Sequence, residues 1–343
     1  MAMKLKKLAR RNETYIALVV LLLCLVIQFR SGQFFTPNNL VDIASALIVP
    51  GLFAIGTFLV LISGGIDVSF PALASLSIYS TTKLLLDAGY EGGVWLPILI
   101  VAAIGAVLGA INGILISFFN LNAMIVTLGT SSIFKGFMQG ALDSKQLAVI
   151  PTGMSSFGKS ALFIAQNAES GLTSRMPTPI IILLVVLALT WFILRHTMYG
   201  RGLYAIGGGE VSAHRAGFKV KRIKFLLYVA VGVIASLAGL IRTCMMTQCH
   251  PTNMLGMEMM IIAGVVLGGT AITGGSGSLT GCMLGTLLIV IVQNSMILLG
   301  IPTFWQDFSL GVLIIVGTGV SAWQVARATR SAGAKIAVKE ARR

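Results

Sequence analysis

Long apolar runs, broken by short polar or glycine-rich stretches, organise this chain. Candidate spans fall at 14–29, 43–62, 71–86, 96–118 and 122–140, then at 178–195, 225–246, 258–272, 279–299 and 303–323. A spanning helix needs about 20 apolar residues, fewer where neighbours bury it, so the pattern predicts an all-α polytopic membrane protein of about ten transmembrane helices. An even number of spans puts both termini on one side, and six spans before residues 196–224 put that stretch on the same side. The expected organisation is an N-terminal segment at 1–13, a transmembrane domain at 14–323 with an outer loop at 141–177, and a basic tail at 324–343.

The shorter spans, 71–86 and 258–272, each abut a glycine-rich break. Ser63-Gly64-Gly65-Ile66-Asp67 precedes the first, and Thr273-Gly274-Gly275-Ser276-Gly277-Ser278 follows the second. Unpaired backbone at membrane depth is tolerated only where protein or a water-filled cavity surrounds it. The breaks therefore line a pathway, as discontinuous helices do in transporters, or they are tight cytoplasmic turns for which glycine is convenient. Ile62–Gly65 and Ile272–Gly275 resemble each other but do not occupy equivalent positions of two five-span halves, so no repeat is inferred.

Residues 196–224 interrupt the apolar pattern with a basic, glycine-rich island. Gly200–Gly202 and Gly207–Gly209 read as hinges bracketing Leu203-Tyr204-Ala205-Ile206. A short helix is expected from Glu210, whose charge suits the first turn, through Ala213, His214 and Ala216 to Gly217 as C-terminal cap. Lys219, Lys221, Arg222 and Lys224 then return to the membrane interface. The acid, the alanines and the glycine suit a small helix pressed into a groove on a cytoplasmic protein; the competing reading is a basic loop held against anionic headgroups.

Composition narrows the class. Hydrophobic residues make up 56% of the chain and charged residues 10%, with a mean hydropathy of +0.92, too little charge to cover a soluble domain. The net charge of +14 would suggest nucleic acid on a soluble protein. Here five Lys/Arg lie in 1–12, seven in 195–224 and six in 327–343, the positive-inside pattern that places all three clusters in the cytoplasm. No nucleic-acid partner is expected. The basic start and apolar run resemble a signal peptide, but Gln28, Phe29 and Arg30 end the run without a small-residue cleavage site, so an uncleaved first span is expected.

Four cysteines (Cys24, Cys244, Cys249 and Cys282) show no ligand spacing, and His196, His214 and His250 are far apart, so no metal site and no catalytic cluster is expected. The outer loop carries Asp143, Lys145, Lys159, Glu169 and Arg175 and is expected to hold a short surface helix. Within it, residues 153–160 match the nucleotide-binding P-loop letter for letter, yet no strand delivers the loop and no sheet can surround it, so nucleotide binding is not expected there. Asp67 is the carboxylate flanked by apolar spans near a break; it caps the span starting near Pro71 with Ser69 nearby, or it couples transport to ions. Lys135 and Arg242 are expected to snorkel to the headgroups. Gly105, Gly109 and Gly113 mark a close helix–helix approach.

These residues bring a family into view. Gly64-Gly65-Ile66-Asp67-Val68-Ser69, Thr127-Leu128-Gly129-Thr130, Tyr199-Gly200-Arg201, Tyr204-Ala205-Ile206-Gly207-Gly208 with Glu210, Ala213 and Gly217, Ala235–Gly239, and Val266-Leu267-Gly268-Gly269-Thr270 with Gly274, Gly275 and Gly277 occur in an order and spacing that resembles the permeases of bacterial ribose-type sugar ABC importers. The resemblance implies a multi-pass protein of the bacterial inner membrane that pairs with itself or a sister permease. It also implies cytoplasmic ATPase subunits on the 196–224 region, where ATP and magnesium bind the ATPase and this chain carries no cofactor, and a periplasmic sugar-binding protein outside. By carry-over, Tyr204, Glu210, Ala213, His214 and Gly217 belong to the coupling helix, and Gly64, Gly65, Asp67, Gly268, Gly269 and Thr270 are candidate pathway residues. The chain departs from the family at Phe70-Pro71, where Val-Gly is usual, and at Met259-Met260, where Leu-Asp is usual. The expected function is transport without chemistry on this chain. The alternatives are an ABC permease for nucleosides or amino acids, and an ion-coupled secondary transporter acting through Asp67.

Overall fold

The computed structural model describes residues 12–143, 145–167, 171–306, 308–312, 314–315 and 319. The segment 1–11, Glu169, nine of the 21 residues of the span expected at 303–323 and the tail at 324–343 lie outside them. Helix α1 (Asn12–Ser31) is followed by α2 (Pro37–Ile62), α3 (Phe70–Asp87), α4 (Trp95–Ser117) and α5 (Ala123–Ala141). Then come α6 (Thr152–Lys159), strands β1 (Ala161–Gln166) and β2 (Thr173–Pro177), and α7 (Ile180–His196), α8 (Met198–Gly208) and α9 (Glu210–Arg215). Helices α10 (Val220–Met246), α11 (Met257–Leu267) and α12 (Leu279–Leu298) follow, with a 3-10 turn at Thr303–Trp305.

Among the described residues, five helices are long and apolar enough to cross a membrane: α1, α2, α4, α10 and α12. A sixth span results if α7 and α8, bent by 75° at His196–Met198, count as one. The spans expected at 71–86 and 122–140 are helical but fall short of that apolarity, because serines and threonines interrupt them. The one expected at 258–272 is shorter than its apolar run. Helix α11 stops at Leu267, since Gly268 and Gly269 follow and Gly269 adopts φ +86°.

Helix α2 is the core of the bundle. Pro37 opens it in the first turn, and it is buried without interruption from Ile48 to Ile62. Helix α10 packs against α4 along a seam without side chains. A β-carbon on Gly105 would overlap Ser236 and the Gly232 carbonyl, and one on Gly109 would overlap the Tyr228 carbonyl. Such small-residue faces bring backbones together where van der Waals packing, rather than expulsion of water, holds helices. Helices α11 and α12 repeat the device, Gly264 and Gly268 facing Gly281 and Gly285.

Loop segments sort into two opposite ends. At one, Thr152 donates to the Glu91 carbonyl at 3.1 Å, Tyr79 to that of Lys145 at 2.9 Å, and Leu147 and Cys249 exchange two backbone bonds of 2.9 Å. At the other, residues 63–65, 120–123, 206–210 and Thr273 come together. The long loop holds the expected short helix, α6, and an antiparallel hairpin of β1 and β2 that the sequence reading did not include.

The P-loop-like letters form α6 itself, with Gly153 against the Gly92 backbone and Gly158 against the Cys244 carbonyl. A helix packed on both glycines offers no loop of free amides for phosphate. The four cysteines are free and buried.

Candidate functional site

The site grows from the corner between α7 and α8. Thr197 is extended (φ −111°, ψ 154°) and its hydroxyl accepts from Gly200 N at 3.2 Å, starting α8. The glycines read as hinges at 200–202 and 207–209 are not hinges: Gly200, Gly202, Gly207 and Gly208 lie within α8. The reason is contact, since a β-carbon on Gly200 would overlap the Ile193–Leu194 backbone, and one on Gly202 would come within 2.7 Å of Ile223. These glycines let α8 lie flush on its neighbours. Gly209 alone breaks the run and admits α9.

Helix α9 has the bounds the sequence suggested at its start and ends two residues before Gly217. Gly217 takes φ +87°, a left-handed cap that an L side chain resists, and Phe218 N returns to the Ala213 carbonyl at 3.2 Å in the manner of a helix-ending motif. Ala213 is buried, whereas Val211, His214 and Arg215 are exposed. Glu210 forms an ion pair of 2.5 Å with Lys224 at the base of α10. Outside this pair, a groove of about 1080 Å³ runs past Phe118, Val211, His214, Arg215 and Phe218.

Tyr204 donates to the Gly277 carbonyl at 3.1 Å, so α8 is tied to the loop after α11. Gly275 N donates to the Ile62 carbonyl at 2.9 Å. The two look-alike breaks, Ile62–Gly65 and Ile272–Gly275, therefore meet each other, with Gly207 against both. Beside this junction is a cavity of about 600 Å³ walled by Gly64, Gly65, Asn122, Gly207, Lys224 and Tyr228.

Asp67 is buried. Its Oδ1 accepts from Ser69 N and Ser69 Oγ, both at 2.7 Å, and Asn112 Nδ2 donates to the same hydroxyl at 2.8 Å. The carboxylate thus holds the Asp67–Ser69 turn just before α3, whose N-cap residue is Ser69 rather than Asp67. Gly268 packs on the Gly281 backbone, and Thr270 is buried beside Gly277. The six candidate pathway residues accordingly divide: Gly64 and Gly65 face the cavity, Asp67, Gly268 and Thr270 are enclosed in packing, and Gly269 is half-buried. Lys135 is half-buried, and Arg242 is half-buried with its Nε enclosed and without a hydrogen-bond partner. Sequence reasoning missed Asn112, the backbone contacts of Gly207 and the meeting of the breaks. The repeated Ile-Ser/Thr-Gly-Gly was the available signal.

A buried, largely apolar helical bundle whose broken helix ends gather at one face, beside a short exposed helix, belongs to the class of multi-pass membrane transport proteins. The chain belongs to the family described as branched-chain amino acid transport system / permease component, which it matches over residues 39–317. It is 31% identical over 311 residues to the ribose import permease protein RbsC of Escherichia coli (strain K12), covering 89% of this chain and 91% of that protein. It is 33% identical over 293 residues to the D-allose transport system permease protein AlsC of the same strain, covering 84% of each. It is 29% identical over 311 residues to the autoinducer 2 import system permease protein LsrC of Yersinia pseudotuberculosis serotype O:1b (strain IP 31758), covering 91% and 85%. The resemblance to ribose-type sugar permeases is borne out. A permease component of this family is not an enzyme and carries no cofactor; nucleotide binds the partner ATPase.

Proposed function

We propose that the chain is the membrane subunit of an ABC importer that carries a sugar or sugar-like solute into the cytoplasm, with α9 as its coupling helix. The observation that carries this reading is the placement of α9. Its buried Ala213 and its ion pair to Lys224 fasten it to the bundle, while Val211, His214 and Arg215 face out over a groove. That is a helix presented to a protein, at the end where basic residues gather and the positive-inside rule places the cytoplasm. The termini lie on this cytoplasmic side in the proposed topology of ten spans, the outer end receives a periplasmic binding protein, and a second permease completes the pathway.

Replacing Glu210 and His214 together, E210K with H214W, is expected to abolish capture of the ATPase while membrane insertion stays intact. Normal yield of the complex from that double variant would overturn the assignment of α9. On cargo, the relatives named for ribose, allose and autoinducer 2 favour a small polyhydroxylated solute. The family description favours a branched-chain amino acid instead. Competition among D-ribose, D-allose and L-leucine for uptake separates the two.

A further inference from the structure

We infer that Gly207 is the positioning residue through which α9 moves both helix breaks at once, an inference that rests on the proposed role of α9. The space a β-carbon would need at Gly207 is filled by the Ile62 carbonyl oxygen and the Gly275 nitrogen. On the facing side, a β-carbon on Gly274 would stand 2.6 Å from Gly64 Cα and 3.0 Å from Gly207 Cα. Three chain segments thus touch backbone to backbone, with no side chain between them. A side chain can absorb a displacement by changing rotamer; close-packed backbone transmits it.

Each segment is itself firm. The first break is closed by Gly64 N to Leu61 O at 2.9 Å and Gly65 N to Val60 O at 3.1 Å, and the second by Gly274 N to Ala271 O at 3.1 Å and Ala271 N to Ser276 O at 3.0 Å. The second is fastened to the first by Gly275 N to the Ile62 carbonyl and to α8 by Tyr204. On the other side of Gly207, Gly209 caps both helices, its N–H bonding the Ala205 carbonyl at 3.1 Å and its carbonyl accepting from Ala213 N at 2.9 Å, so a single residue joins α9 to α8. The breaks end α2 and α11 and lead into α3 and α12. Movement of α9 therefore reaches four helix ends by way of one residue. Gly208 is the natural control, because nothing lies within 4 Å of the β-carbon it would carry.

The experiment uses the purified permease–ATPase complex with one reporter, T273C, placed in the second break where Thr273 is exposed. The native cysteines are buried. The rate of labelling at position 273 by a water-soluble maleimide, read by peptide mass spectrometry, is compared without nucleotide and after trapping with ATP and vanadate. With the native junction the rate is expected to change about fivefold or more between the two states. In G207A the change is expected to vanish although the same amount of nucleotide is trapped, and in G208A to persist. If G207A does not assemble, Y204F, which removes a bond without adding bulk, is expected to at least halve the response. A reporter indifferent to nucleotide with the native junction, a native response in G207A or in its Y204F substitute, or an equal loss in G208A would each overturn the role of Gly207. Failure of any ATPase to co-purify with the unsubstituted chain would instead sink the importer reading, and the inference with it.

Discussion

Glycine backbone contacts build both the α4–α10 seam and the junction at Gly207, and the two regions differ in what surrounds those contacts. In the seam, Gly105, Gly109 and Gly113 meet α10 over about two turns of continuous helix, flanked by buried side chains and by the Ser236–Ser77 hydrogen bond of 2.9 Å. At the junction, one glycine of α8 meets two chain segments where their helices end, next to a cavity of about 600 Å³. The same chemistry gives a rigid slab where it repeats along an axis and a point of transmission where it occurs once between termini. Regions with fewer buried contacts open at lower free-energy cost, so a displacement is expected to be taken up at the junction before it reaches the seam.

The sharpest way to break this comparison is to put a side chain into the seam. A β-carbon on Gly232 would overlap the Gly105 carbonyl, so G232V is expected to cost about 3 kcal/mol or more and to prevent recovery of folded protein in mild detergent. Recovery at native levels, with a native melting temperature, would show that the seam yields as readily as the junction. Next in size is Asp67. D67A leaves Ser69 N and Oγ without their acceptor in a buried site, a loss of about 1–3 kcal/mol. D67N keeps an oxygen there and is expected to lose much less, with uptake retained. Uptake abolished in D67N at unchanged stability would mean that the carboxylate does more than hold a turn, and would revive ion coupling. The smallest effect is expected from E210Q. The ion pair is half-exposed on the glutamate side, so its loss should cost under about 1 kcal/mol, shrinking further in high salt. A larger drop in melting temperature would make the α9 attachment structural rather than positional.

Much of this arrangement was legible from hydrophobic periodicity, and the remainder fails for identifiable reasons. Helices α2, α4, α10 and α12 coincide with runs whose apolar length alone dictates them. Asp67 was read as a cap with Ser69 nearby; the residue at the helix start is Ser69, and Asp67 bonds it from the preceding turn. Helix α9 was legible from Glu210 and Gly217, because an acid at the start and a left-handed glycine after the end are local requirements. The α8 glycines misled for the opposite reason. Their conformations are ordinary helix, and what demands glycine is the Ile62 carbonyl and the α7 backbone, contacts that local pattern cannot register. The β1–β2 hairpin escaped because its register depends on pairing across a loop, between segments with little alternation. Gly268 and Gly269 ended α11 early, although the apolar run continues to Ile272.

The 75° corner between α7 and α8 gives the island an orientation as well as a place. A helix that leaves its neighbour at that angle runs across the neighbour's axis rather than along it, and the 11 residues of α8 make it a crank arm of about 16 Å. Swinging such an arm by roughly 10° about its corner displaces the far end by about 3 Å, comparable to the length of the hydrogen bond between Gly275 and Ile62. Few other shapes would convert so small an angular stroke into a step large enough to exchange one hydrogen-bonded arrangement for another.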